Sequence, residues 1–63
     1  MPKTSVKVQL LGGDGNAFVI LGTVKNALKR AGHSELVDEF MAEAMNGDYD
    51  HLLATVMDYV EVE

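Results

Sequence analysis

The sequence predicts a small, compact α+β domain, in which three helices pack between short N- and C-terminal strands in the order β-α-α-α-β. Three observations predict this fold. Apolar and polar residues alternate near the start, apolar residues recur three and four apart in three later segments, and the alternation returns at the end. At 63 residues the chain has room for a single domain, residues 1–63.

The first predicted element is a strand over Ser5–Leu11, because apolar and polar residues alternate from Val6 to Leu10. Residues 60–63, Val-Glu-Val-Glu, alternate in the same way and predict a short last strand. The pattern leaves open whether the strands pair within one chain or between two. It also leaves open whether the pair is parallel or antiparallel.

A long helix is predicted after the glycine-rich segment 12–15. Either Asp14 or Asn16 is expected as its N-cap, and Gly32 is expected to end it. The helix carries one continuous apolar stripe. The stripe consists of Ala17, Ile20, Leu21, Val24, Ala27, Leu28 and Ala31.

Three residues of this first helix do not fit a single apolar stripe. Phe18 and Val19 lie off the stripe, and Gly22 lies mid-helix, where glycine costs about 1 kcal/mol relative to alanine. One interpretation is a central core helix that is covered on two sides, with Gly22 admitting another backbone or a large side chain. The other is that Phe18, Val19 and Gly22 belong to a subunit interface.

Two further amphipathic helices follow. Ser34 is the predicted N-cap of the second helix, Asn46-Gly47 ends it, and Asp48 or Asp50 starts the third. The second helix has one apolar face, made of Leu36, Val37, Phe40, Met41, Ala44 and Met45. The apolar face of the third helix is made of Tyr49, Leu52, Leu53, Val56, Met57 and Val60.

Charge is distributed unevenly along the chain, although the net charge is only −5. Residues 1–32 hold all five Lys and Arg and one acid, whereas residues 33–63 hold nine acids and no Lys or Arg. One explanation is that the basic face of the first helix lies beside the acidic helices. The other is that the asymmetry serves a charged partner.

Composition also bounds location and assembly. A chain this short has a marginal core, and without cysteine it has no disulfide or thiolate metal site to support it, so we expect a homodimer. No apolar run is long enough to span a membrane, and the first residues lack a signal-peptide pattern. We therefore expect a cytoplasmic protein.

The glycine-rich loop Gly12–Asn16 is a candidate anion or phosphate site, because the backbone amides of Gly13, Asp14, Gly15 and Asn16 open a helix. A plain tight turn explains the same residues. The loop matches neither the Walker nor the dinucleotide-binding motif. A calcium loop is excluded, because the twelfth position counted from Asp14 is Lys25 rather than glutamate.

No arrangement of residues predicts catalysis. Asp48, Asp50 and His51 are residue types that can bind a metal, but helix capping and the helix dipole explain both aspartates, so we expect no metal or cofactor. His33 and His51 are expected at the surface. No nucleophile lies beside a base, and we expect no enzymatic activity.

Residues 27–37 have the pattern of a helix-turn-helix. The second helix of the pair would enter the DNA groove, yet it carries Glu35, Asp38, Glu39 and Glu43 and no basic residue. Binding to nucleic acid is therefore not favoured. The acidic second half leaves mimicry of nucleic acid as an alternative.

Two resemblances add to this interpretation. Three helices with short turns, and the segment GDYDHLL at residues 47–53, resemble the ubiquitin-associated fold. In that family a glycine-containing loop helps to bind ubiquitin. Residues 30–33, Arg-Ala-Gly-His, depart from its Met-Gly-hydrophobic pattern, so ubiquitin binding does not carry over.

The segments GDGNAFVILG and GDYDHLL, with their spacing, are similar to small uncharacterised proteins of bacteria and mobile elements. This resemblance covers nearly the whole chain and implies no activity. The sequence thus predicts a small acidic protein-interaction or regulatory module that acts as a homodimer on an unidentified protein partner. An anion binder at Gly12–Asn16, and a nucleic-acid binder or mimic, are the alternatives.

Overall fold

Three helices and a small parallel pair of strands form the fold. The structure, a computed structural model, describes residues 2–10 and 16–63. Its elements are β1 (Lys7–Val8), α1 (Ala17–Arg30), α2 (Ser34–Ala44), α3 (Tyr49–Tyr59) and β2 (Glu61–Val62). The strands pair in parallel within one chain, with Lys7 beside Glu61 and Val8 beside Val62. The predicted element order is confirmed, but the domain is mainly helical and its sheet is a minor part.

The N-cap of α1 is Asn16, whose side-chain oxygen accepts a hydrogen bond from the amide of Phe18 at 2.9 Å. Asp14, the alternative cap, lies outside the described residues. The helix ends at Arg30, and Gly32 follows with a φ of +83°, a conformation that glycine adopts without steric cost.

The prediction that Ser34 caps α2 is wrong. His33 occupies the N-cap position and makes no side-chain capping bond, so Ser34 is the first helical residue. For α3, Asp48 is the cap, and its Oδ1 accepts a hydrogen bond from the amide of His51 at 2.9 Å.

The core lies between the helices, with α2 packed against both α1 and α3 and with β1 against α1. Leu28 and Phe40, both predicted core residues, are fully buried. The ring of Phe40 meets the ring of Tyr59 edge to face, with centroids 5.4 Å apart. The buried apolar residues are Val8, Ile20, Leu21, Val24, Leu28, Val37, Phe40, Ala44, Leu52, Val56, Tyr59 and Val60.

Four side chains that were expected on apolar faces are exposed instead. They are Ala31, Met45, Tyr49 and Met57. Ala31 and Met45 follow the last residues of α1 and α2, and Tyr49 is the first residue of α3, so each lies at a helix end. Met57 is next to buried Val56 in α3. The elements packed on α3 cover a narrower stripe of this helix than the sequence suggests, so Met57 is left exposed.

The segment before β1 is anchored to the end of α3. The amide of Lys3 donates to the carbonyl of Asp58 at 2.8 Å, and the amide of Thr4 donates to the carbonyl of Tyr59 at 3.1 Å. The Thr4 hydroxyl donates to the same carbonyl at 2.7 Å. Among the helices described, none is long and apolar enough to cross a membrane.

Candidate interaction surface

The structure places Phe18, Val19 and Gly22 on the outward side of the first half of α1. Phe18 is 79% exposed and Val19 is 44% exposed, while Gly22 is half-buried. An aromatic side chain this exposed loses the free energy that burial would provide, about 1.5–3 kcal/mol for phenylalanine. These residues therefore form an apolar patch that the described part of the chain leaves uncovered.

An open groove of about 280 Å³ adjoins this patch, between the start of α1 and the turn that joins α2 to α3. Phe18 forms one wall, and Met45 and Tyr49 form the other side. Met45 is 62% exposed and Tyr49 is 41% exposed. Of the residues within 2–10 and 16–63 that line the groove, Asp48 alone is charged. Together, Phe18, Val19, Gly22, Met45 and Tyr49 are called the apolar surface below.

Sequence reasoning missed the contribution of Met45 and Tyr49 to this surface. Both were assigned to helix faces by their periodicity. Their position in the sequence, rather than their periodicity, indicates that they are exposed. Both flank the short turn 46–48, and side chains at helix ends have fewer neighbours to cover them.

Gly22 has no close neighbour in the part of the chain that the structure describes. A Cβ atom built on it would meet nothing within 4 Å apart from its own helix. The interpretation that Gly22 admits another backbone or side chain therefore has no support within residues 2–10 and 16–63. Any group that approaches Gly22 closely would have to come from outside these described residues.

The candidate anion loop falls largely outside the described residues. This applies to Gly13, Asp14 and Gly15, so the structure gives no geometry for a bound anion there. The fourth residue, Asn16, uses its side-chain oxygen to accept the amide of Phe18. That amide is one of the free donors that an anion would need.

Asp48 and the two histidines have partners within the described part of the chain. Asp48 caps α3, and Nε2 of His51 lies 2.8 Å from the carbonyl oxygen of Glu43. The other histidine, His33, has its Nδ1 3.7 Å from a carboxylate oxygen of Glu35. Across the described ranges, no three His, Asp or Glu side chains are placed to hold a metal ion.

The charge asymmetry of the sequence is not neutralised by ion pairs between α1 and the acidic helices. Within residues 2–10 and 16–63, the only lysine or arginine in an ion pair is Lys3, whose Nζ lies 3.0 Å from Oε2 of Glu39. Lys7, Lys25, Lys29 and Arg30 make none there. The first explanation of the asymmetry, a basic face beside acidic helices, therefore has no support from direct ion pairs among these residues, although α1 does pack against α2.

Lys3 belongs to a polar cluster with Glu39 and Tyr59. The Tyr59 hydroxyl and the Lys3 ammonium both donate to Oε2 of Glu39, at 2.8 and 3.0 Å. These hydrogen bonds, that of Tyr59 first, lower the pKa of Glu39 below its ordinary value. Burial and the Glu39 carboxylate raise the pKa of Tyr59, and the bond to Glu39 raises the pKa of Lys3.

No family model, no curated protein and no solved structure matches this chain. The resemblances to the ubiquitin-associated fold and to small bacterial proteins accordingly remain expectations from the sequence.

Proposed function

We propose that this chain is a non-enzymatic protein-interaction module that acts as a homodimer through the apolar surface. The observation that carries the proposal is Phe18, which is 79% exposed beside an open apolar groove. Contiguous exposed apolar side chains mark protein-binding surfaces more often than isolated ones do. A cytoplasmic location is part of the proposal, and the absence of cysteine is compatible with it.

The shape of the apolar surface suits a second copy of itself. A protruding aromatic ring and a groove of about 280 Å³ lie side by side on one face. In a two-fold dimer each patch contacts the same patch of the partner, so each Phe18 would fill the groove of the other copy. Methionine in the groove wall adapts its side chain to such a contact.

The sheet offers a second route to a dimer, because two copies could join edge to edge into four strands. Charge opposes this route. A two-fold pair of β1 edges would bring Lys7 near its own copy, and a pair of β2 edges would do the same for Glu61. Like charges that face each other across strands are destabilising. The helical surface is therefore the better candidate.

Sedimentation equilibrium of wild type and two matched serine variants tests the proposal. Phe18→Ser removes the aromatic ring from the apolar surface. Met57→Ser removes another exposed apolar side chain, which does not line the groove. We expect a wild-type dimer over about 1–100 μM, and a dissociation constant at least about tenfold higher for Phe18→Ser alone.

Either of two results would overturn the proposal. One is a wild-type monomer throughout the concentration range. The other is equal weakening by Phe18→Ser and Met57→Ser, which would show that the dimer forms elsewhere or through unspecific contact. Circular dichroism of both variants confirms that each is folded.

A further inference from the structure

A second cleft, of about 330 Å³, lies on the other half of α1, between that helix and β1. Its polar lining comes from Lys7 and Gln9 on the strand side and from Thr23, Asn26 and Arg30 on the helix. Among the described residues that line it, none is acidic. The cleft shares no lining residue with the groove beside Phe18.

One side of this cleft is the edge of β1 that faces away from β2, which no strand in the described part of the chain covers. Towards β2, the carbonyl oxygens of Val6 and Val8 accept the amides of Glu61 and Glu63 at 2.8 and 2.9 Å. Because backbone groups of successive strand residues point to opposite edges, the N–H and C=O of Lys7 point away from β2. In the described part of the chain the sheet has two strands, and the Lys7 backbone makes no backbone hydrogen bond there outside the pairing of β1 with β2.

The charge of the cleft is positive, and no described residue pairs with it. Lys7 and Arg30 are both exposed, and within the described ranges neither makes an ion pair. The amides of Gln9 and Asn26 add hydrogen-bond donors beside them. An occupant that brings carboxylates would therefore gain both charge and hydrogen bonds.

We propose that this cleft binds an acidic, extended segment of another protein, which adds a third strand along β1. The backbone groups of Lys7 that point away from β2 provide main-chain hydrogen bonds, and the Lys7 and Arg30 side chains select carboxylates on the added strand. This site does not rest on the dimer proposed above, because it uses a different cleft and a different half of α1.

Charge and geometry favour this occupant over two others. The same edge of a second copy would bring Lys7 and Arg30 against themselves, which is repulsive. The acidic β2 of a second copy would pair head to tail, and such contacts propagate without closing unless they form a ring. A nucleic acid gains nothing from a strand edge, because it has no main-chain amides and carbonyls to pair with one.

Fluorescence anisotropy with defined probes tests the site. The probe is a labelled peptide of alternating glutamate and valine, about eight residues long, titrated with wild-type protein at low salt. We expect saturable binding that weakens as salt rises. For Lys7→Gln/Arg30→Gln we expect about tenfold weaker binding, from two partly exposed ion pairs.

The matched control is Lys25→Gln/Lys29→Gln, which changes the net charge equally but alters residues that do not line the cleft. It is expected to bind the peptide nearly as well as wild type. A peptide of the same sequence with every backbone amide N-methylated keeps the charge but has no amide donors, and should bind at least several-fold more weakly.

Several outcomes would overturn the inference. Equal weakening by the two double variants would show that the effect is general electrostatic attraction. Equal binding of the N-methylated peptide would exclude strand addition. Tighter binding of duplex DNA of matched charge would point to a nucleic acid instead. Peptide-independent polymers that disappear in Lys7→Gln/Arg30→Gln would identify a second copy as the occupant.

Discussion

Tyr59, at the end of α3, donates its hydroxyl hydrogen to Glu39 in the middle of α2, with Oη 2.8 Å from Oε2. The Tyr59 ring also packs edge to face on Phe40 and lies under the Lys3 ammonium, 4.8 Å from the ring centroid. One side chain thus connects α2, the core and the N-terminal segment. The acceptor at the centre of this cluster is the Glu39 carboxylate, so protonation of Glu39 changes its hydrogen bonds with Tyr59 and Lys3.

Stability is expected to fall in acid partly through Glu39. Its pKa is lowered in the folded state, so its contribution is present above its ordinary value of 4.5 and is lost as pH falls through the folded pKa. We expect the melting temperature of Glu39→Gln to fall less than that of wild type between about pH 5 and 3. Asp38→Asn, the same charge change on the same helix, should follow wild type. Parallel curves for all three proteins would contradict this role.

The core assignment predicts large losses of stability at two positions. Leu28 and Phe40 are fully buried, so Leu28→Ala or Phe40→Ala should cost about 2–5 kcal/mol of unfolding free energy, because each leaves a cavity. Met57→Ala, at an exposed apolar residue, should stay within about 0.5 kcal/mol. Urea unfolding by circular dichroism measures all three. Wild-type midpoints for the two core variants would show that the core is elsewhere.

Gly22 and Gly32 are expected to respond to alanine in opposite directions. Gly22 is mid-helix with open space around it, so Gly22→Ala should stabilise the monomer by about 0.5–1 kcal/mol. At Gly32 the φ of +83° is unfavourable for alanine, and Gly32→Ala should cost about 1–2 kcal/mol. Thermal unfolding at concentrations below dimer formation measures both. Destabilisation by Gly22→Ala would mean that a neighbour approaches it within the monomer.

Asp48 should contribute about 1 kcal/mol as the N-cap of α3. Asp48→Ala removes the oxygen that accepts the amide of His51, whereas Asp48→Asn keeps an oxygen of the same reach. We therefore expect the alanine variant to unfold at a lower urea concentration and the asparagine variant to resemble wild type. If both variants lose the same stability, the charge of Asp48 matters more than its capping bond.

Sequence patterns were reliable where the cause of a structure is local. The spacing around Leu28 and Phe40 identified buried positions, because a helix packed on one side buries residues three and four apart. The sequence patterns failed at helix ends and for contacts between residues that are far apart in the sequence. His33 rather than Ser34 caps α2, and the exposure of Tyr49 depends on where neighbouring elements stop. The periodicity of apolar residues predicts neither the cap residue of α2 nor the exposure of Tyr49.

The candidate sites show the same division. Phe18 was found because it lies off the apolar stripe of its own helix, which is a local signal. The cleft between β1 and α1 was not, since it depends on which strand edge β2 occupies. The cluster of Lys3 with Glu39 joins residues 36 positions apart, and their pairing follows from the parallel strands that the sequence left undecided.

The hydrogen bond of Thr4 to Tyr59 spans 55 positions, whereas the contacts between successive helices span far fewer. Closing so long a loop costs more chain entropy than forming a helix pair, so the ends should dock after the folding transition state. Thr4→Val should then leave the refolding rate nearly unchanged and raise the unfolding rate, a φ-value near zero. The contact between Thr4 and Tyr59 would then determine how long each molecule stays folded rather than how quickly it folds.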